Sequence, residues 1–392
     1  MPPPTSEKPL LGVWKPSPRV ETLYYGSGCV SKHLRASLKS PLSRVFVVTG
    51  KTVAWDTPLV EDLRQLLGDQ IACVFAQVPP HVELEVVFDA VDMMQEAQEQ
   101  GAEKIDTILA VGGGSPIDFA KILSVQARAN PALGPFTVIV IPTTLSAAEC
   151  SIVGYYSRDG TKLMLTKPSM AVNAIFYDPE YAQYTPKRQW LGSGITALDH
   201  AVETMYDPFA TEYPAKAMAL WAARGLVSGL RDMGANWPGT RDQMTRLFLA
   251  AHASNSSRNS NAAVHSGLSH LFSFALGSPF KIANAEISCI TLGKVVIFKA
   301  KTSTADAKQI ARLLPAITGE RSTGKHVAEA CKVGRSIMAL VKELGLNDRL
   351  DKCGVAREQI PTIAKRVGGA YGLKPEDCKA IINLVEAFFP SD

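Results

Sequence analysis

The sequence lacks any C-x-x-C pair: its seven cysteines are scattered along 392 residues. That spacing argues against a disulfide framework or a zinc cluster, and for reduced thiols in the cytoplasm. No apolar run approaches the ~18 residues that span a bilayer. The opening MPPPTSEKPLLG lacks the basic-then-apolar order of a secretion signal. A dominant charge is missing too. Lys and Arg number 41 against 37 Asp and Glu, a net +4, and no basic run stands out, so nucleic acid is not an expected partner. There is no internal repeat and no low-complexity segment. What remains is an ordinary globular composition, 46% hydrophobic and 20% charged, in a chain long enough for two domains.

The chain changes character near residue 185. Before it, apolar strand patterns (Ser43–Thr49, Ile71–Val78, Phe136–Ile141, Ala174–Tyr177) alternate with helical patterns (Leu59–Leu67, Val82–Gly101). Alternation of this kind predicts a parallel sheet covered on both faces. Ser151–Ser157 and Leu163–Thr166 flank Asp159-Gly160 and read as a hairpin. After it, strand patterns all but vanish. Helical periodicity covers Ile195–Tyr206, Ala215–Met233, Gln243–Asn255, Ala262–Leu276, Ser288–Lys299, Ala305–Leu314, Gly324–Leu344 and Ala380–Phe389. The expected organisation is a proline-rich, loose arm over 1–20, an α/β nucleotide-binding domain over 21–185 and an all-α domain over 186–392.

The most informative stretch is Leu109–Lys121, LAVGGGSPIDFAK. An apolar strand runs into three glycines, then a proline at a helix start. Bare backbone N–H groups at a helix N-terminus attract phosphate, through unpaired donors and the helix dipole together. The turn is not the Rossmann fingerprint, whose third glycine would fall at Ile117, and no Gly-Lys-Ser/Thr follows as in a P-loop. A ligand held there would lie in the cleft between the domains. Pro142-Thr143-Thr144 at a strand end, the helix bearing Asp199, His200 and Glu203, and the stretch Val264–Glu286 with His265, His270 and Asn284 converge on that cleft.

Together, VGGGSPIDFAK, IPTT, SGITALDHAVETMY and GLSHLFSFALGSPFKIANAE resemble the iron-containing alcohol dehydrogenases of the dehydroquinate-synthase-like fold. Within them the wording most resembles the maleylacetate reductases. The resemblance implies that Gly113, Gly114, Ser115 and Asp118 contact the pyrophosphate and nicotinamide of NAD or NADP, with Thr143 and Thr144 as the second nucleotide segment. Lys162 matches the lysine near the nicotinamide ribose. The acid that selects NAD at the first strand end is Gly50 here, followed by Lys51, which permits NADP.

The metal-dependent members use an Asp, a His four residues on, and two further His. Those positions are Thr196, His200, His270 and Asn284, and a further family His is Phe274. Two imidazoles, a hydroxyl and an amide make a poor site for iron or zinc. Asp199 and His265 are expected about 100° or more round their helices from the matching faces. Asp199 and Glu203 read as helix-face charges, and His33, His81, His252, His265 and His326 as structural histidines. The resemblance therefore implies a metal-independent NAD(P)H-dependent reduction of a carbonyl or activated C=C bond in a small molecule. His200 and His270 are the candidate acid and orienting donor, with Asn284 and Thr196 as supporting donors. A non-redox tailoring enzyme (dehydratase, cyclase or isomerase) and a metal-dependent alcohol dehydrogenase are the alternatives. A homodimer is compatible with it, and Arg258 and Lys281 are candidates for a substrate carboxylate.

Overall fold

The computed structural model describes residues 12–14, 20–101, 103–257, 267–372 and 378–390. Its sheet strands are β1 (Gly12–Trp14), β2 (Thr22–Tyr25), β3 (Arg44–Thr49), β4 (Ile71–Phe75), β5 (Ile105–Gly112), β6 (Thr137–Pro142) and β9 (Ala174–Tyr177), with β7 (Val153–Arg158) and β8 (Thr161–Thr166) as a separate pair. The main sheet has the order β1-β2-β9-β6-β5-β3-β4. Every pair in it is parallel except β1–β2. In β3 and β5 nearly every residue is buried, as a parallel strand covered on both faces requires. β7 and β8 turn through Asp159 and Gly160, both at positive φ, the two-residue loop that suits the twist of a hairpin.

Beyond β9 the described residues are helical. The elements that matter below are α1 (Gly114–Gln126), which follows β5, α2 (Lys187–Tyr206), α3 (Leu268–Phe280), α4 (Asn284–Thr302) and α5 (His326–Glu343). The fold is thus an α/β sheet region followed by a helical region, as the sequence suggests. One apolar core joins sheet strands and helices: Phe46, Val48 and Ile108 belong to the same buried cluster as Leu198, Val202 and Leu292. α2 runs through its centre, buried without interruption from Trp190 to Met205, polar side chains included, so each of those needs a partner inside the protein.

Several boundaries differ from the sequence reading, for identifiable reasons. α2 starts at Lys187 and not at Ile195, because Gly192 and Gly194 lie inside the helix. Gly194 is there for packing: a Cβ on it would stand 2.4 Å from Leu230 Cδ2. The arm is not wholly loose, since Gly12–Trp14 pairs antiparallel with β2. Most of its other residues lie outside the described residues. The strand Thr22–Tyr25 and the helix Ile360–Ala370 were not foreseen; a four-residue strand shows little periodicity, whereas Ile360, Ile363, Ala364 and Val367 do have helical spacing that the reading passed over.

α4 and α5 cross at a pair of glycines. A Cβ on Gly293 would meet Met338 Cγ at 2.5 Å and the Gly334 carbonyl oxygen at 2.7 Å. Backbone cannot step aside as a side-chain tip can, so Gly293→Ala should lower unfolding free energy by about 1–3 kcal/mol. Urea denaturation checks this, and an unchanged midpoint would contradict it.

Candidate active site

The site is built from the sheet's carboxyl ends upward. β5 ends at Gly112, whose φ of +141° is open to glycine. Gly113 then caps α1 in an extended conformation. The turn is pressed against the segment after β6. A Cβ on Gly113 would stand 3.0 Å from Thr144 Cγ2, and one on Gly114 3.1 Å from Ser146 Oγ. The Thr143 N–H donates to the Gly112 carbonyl at 2.9 Å. The Leu145 N–H donates to Ser193 Oγ of α2 at 2.9 Å. Helix, turn and threonine segment are therefore one hydrogen-bonded unit.

A cavity of about 830 Å³ opens over this unit. Gly50, Gly113, Gly114, Ser115, Asp118, Thr143, Thr144 and Lys162 all line it, as do Thr196, His200, His270 and Asn284. Its size suits a cofactor and a small substrate. Asp118, one turn into α1, is held 3.4 Å from the Nζ of Lys121. Lys121 is fully buried and donates to the carbonyls of Ala148 and Val153. Burial raises the Asp118 carboxyl above the usual range, with Lys121 opposing.

On the far wall, His200 of α2 and His270 of α3 stack, ring centroids 4.7 Å apart and planes 24° from parallel. Thr196 lies one turn before His200, and its buried Oγ1 has no hydrogen-bond partner among the described residues. Asn284 opens α4; its Oδ1 accepts from Lys162 Nζ at 2.9 Å. A second Lys162 bond runs to Ser273 Oγ at 3.0 Å.

Behind His270 the structure corrects the sequence reading of Asp199 and Glu203. They are not surface charges but are 0% and 1% exposed. Glu203 accepts the backbone N–H groups of Gly267, Ser269 and His270 at 3.0, 2.9 and 3.2 Å. It thus satisfies the open N-terminus of α3. Its Oε2 also stands 2.8 Å from His270 Nδ1, and Asp199 Oδ1 stands 3.7 Å from it. Asp199 Oδ2 accepts from Ser269 Oγ at 2.7 Å. Burial pushes the Asp199 carboxyl up to about 7; the His270 charge opposes this and Glu203 adds to it.

His81, read from the sequence as structural, also faces the cavity. It lines the cavity at a φ of +63°, and burial, with Lys162 nearby, lowers its imidazole to about 4. No motif marks it. His252 conforms to the structural reading, buried against Tyr177 at 3.1 Å. Lys281 lines the cavity; Arg258 and His265 lie outside the described residues.

Residues 21–179 match the family described as iron-containing alcohol dehydrogenase, and residues 191–379 match the C-terminal region of the same family. Dehydrogenase ALT3 of Alternaria alternata is 26% identical over 369 residues, covering 82% of this chain and 91% of that protein. A maleylacetate reductase of Burkholderia cepacia is 23% identical, covering 88% of each chain. The crystal structure of maleylacetate reductase from Agrobacterium tumefaciens superposes with a TM-score of 0.76 at 21% identity, covering 94% of this chain and 95% of that one.

The Glu203 contacts make a direct prediction. Glu203→Ala removes the acceptor of three backbone N–H groups and the carboxylate beside His270. Stability should fall by on the order of 3 kcal/mol, read as a lowered urea midpoint at neutral pH. A midpoint equal to wild type would show that α3 does not depend on this carboxylate.

Proposed function

The chain belongs to the iron-containing alcohol dehydrogenase family, and from that premise we propose that this oxidoreductase is a metal-independent NAD(P)H-dependent reductase of a carbonyl or activated C=C bond in a small molecule. The observation that carries this reading is the wall opposite the glycine turn. In place of the family's four ligands it presents two stacked imidazoles, a hydroxyl and an amide already engaged by a lysine. The donor set does not fit a divalent ion there. Those four residues include no carboxylate, and in the one grouping of metal-type ligands among the described residues, Asp199, Glu203 and His270, the acids are 0% and 1% exposed behind the imidazole. Glu203 is spent on three backbone N–H groups; Asp199 Oδ2 accepts from a serine hydroxyl, while its Oδ1 is left without a hydrogen bond among the described residues.

A dinucleotide fits the other wall. Gly113, Gly114 and Ser115 offer α1's unpaired N–H groups to a pyrophosphate. Asp118, Thr143 and Thr144 line the same cavity, and Lys162 reaches from β8 to Asn284 of the opposite wall. When bound, the nicotinamide supplies the hydride. The chain's own work is to hold the substrate against it and to meet negative charge on the substrate oxygen. His200 and His270 do this, one giving the proton and the other orienting; Thr196 and the Asn284 amide add donors. Glu203 Oε2 at 2.8 Å and Asp199 Oδ1 at 3.7 Å from Nδ1 hold the His270 ring in place. The relatives named maleylacetate reductase make maleylacetate the first substrate to try. The reading includes a cytoplasmic location, which the seven free thiols support.

Gly50 sits at the end of β3, lines the cavity and begins the short helix Lys51–Trp55. A side chain fits there: a Cβ would stand 3.6 Å from the Val78 carbonyl oxygen. With no acid to repel a 2′-phosphate, NADPH should bind at least as tightly as NADH. Gly50→Asp should move preference toward NADH by about 1–3 kcal/mol. Nucleotide fluorescence titration reads both. Wild type that binds neither nucleotide would favour the non-redox alternative, and strong NADH preference would remove the argument from Gly50.

A further inference from the structure

Lys162 has surroundings that cofactor binding alone does not call for. Its side chain is 7% exposed, yet no carboxylate pairs with it among the described residues; its two hydrogen-bond partners, Ser273 Oγ and Asn284 Oδ1, are neutral. Its Nζ lies 4.8 Å from the Tyr155 ring centroid and 5.5 Å from that of Phe274. Those two rings meet edge to face at 5.7 Å. An ammonium has three donors, so a third N–H is left for an oxygen in the cavity that Lys162 lines. Ring faces attract a cation without neutralising it.

The identity of the holders is the telling point. Asn284 and Phe274 stand where the resemblance places two family histidines, and both touch this one lysine. The two departures from the metal pattern have a common consequence: they seat a fixed positive charge at the wall.

We propose that the Lys162 ammonium is a catalytic residue, the charge that stabilises the substrate oxygen in place of a metal ion. The proposal rests on the reductase reading above. In the step it assists, the carbonyl carbon gains the hydride supplied by the reduced nicotinamide and the C=O π pair moves onto oxygen. An imidazole then gives that oxygen its proton. Lys162 keeps its three protons, and no bond forms or breaks at Nζ. Burial lowers its pKa to about 8, with Asp118 opposing, so the charged form prevails at neutral pH. A preorganised charge in a site shielded from water is worth far more than the same charge in solvent.

The test is a set of Lys162 variants of the full chain, assayed at neutral pH with NADPH and maleylacetate, short aldehydes and ketones. NADPH affinity by fluorescence and melting temperature are measured on the same preparations. Lys162→Met should lower kcat at saturating NADPH by about 10²–10³-fold, the loss typical of one oxyanion donor, a larger effect than any rise in the NADPH Kd. Lys162→Arg, which keeps the charge, should recover at least about tenfold of that loss. Lys162→Gln serves if the Met variant does not fold, and should show the same drop. A kcat within about threefold of wild type, or a defect confined to NADPH Kd, overturns the proposal and leaves Lys162 a cofactor contact. Wild type that oxidises no NADPH with any of these compounds overturns the reductase reading, and this proposal with it.

Discussion

The geometry of the site depends on one carboxylate. Glu203 is buried near the end of α2 and accepts the first N–H groups of α3. Those donors have no partner inside their own helix, and a negative charge there is favoured by the helix dipole. The contact fixes where α3 begins relative to α2, and therefore where His270 meets His200. A Cβ on Gly267 would stand 2.2 Å from Glu203 Cδ, so the chain passes this carboxylate at the closest approach a residue allows. Packing elsewhere in the helical region holds the helices together; this contact sets their register at the cavity.

The opposite wall is governed by backbone. The Gly112–Gly114 turn lies within contact of Thr144 and Ser146, and Thr143 is tied to Gly112 and Thr185. α2 reaches the same unit through Ser193. One helix thus touches both walls: its first half braces the nucleotide-side loops and its second half carries Thr196, His200 and Glu203. Lys162 adds a second tie, from β8 to Ser273 and Asn284 of the helical wall.

What could be read from the sequence follows from how local each signal is. The glycine turn, the threonine segment and the hairpin are local, and their residues lie where expected. The α/β-then-helical order was legible for the same reason, since each region has its own period. Asp199 and Glu203 were misread because their significance lies in a helix more than sixty residues away. On a helical wheel Asp199 stands about 100° from His200 and Glu203 about 60° from it; nothing in α2 alone says that α3 crosses there. The place of His81 at the cavity comes from a loop at positive φ, which no sequence period marks. The partnership of Lys162 with Asn284, 122 residues apart, is likewise a product of tertiary structure. Gly194 shows the converse error: a residue that ends helices in sequence terms is required inside one by a neighbouring leucine.

The central claim is that this wall works through the protein's own cations and donors and holds no metal ion. Elemental analysis of the purified, dialysed chain, with NADPH oxidation measured before and after chelation, tests it most directly. The account predicts far less than one equivalent of iron or zinc and a rate that chelation does not change. One equivalent of retained metal, with activity lost on its removal and restored by its return, would contradict it.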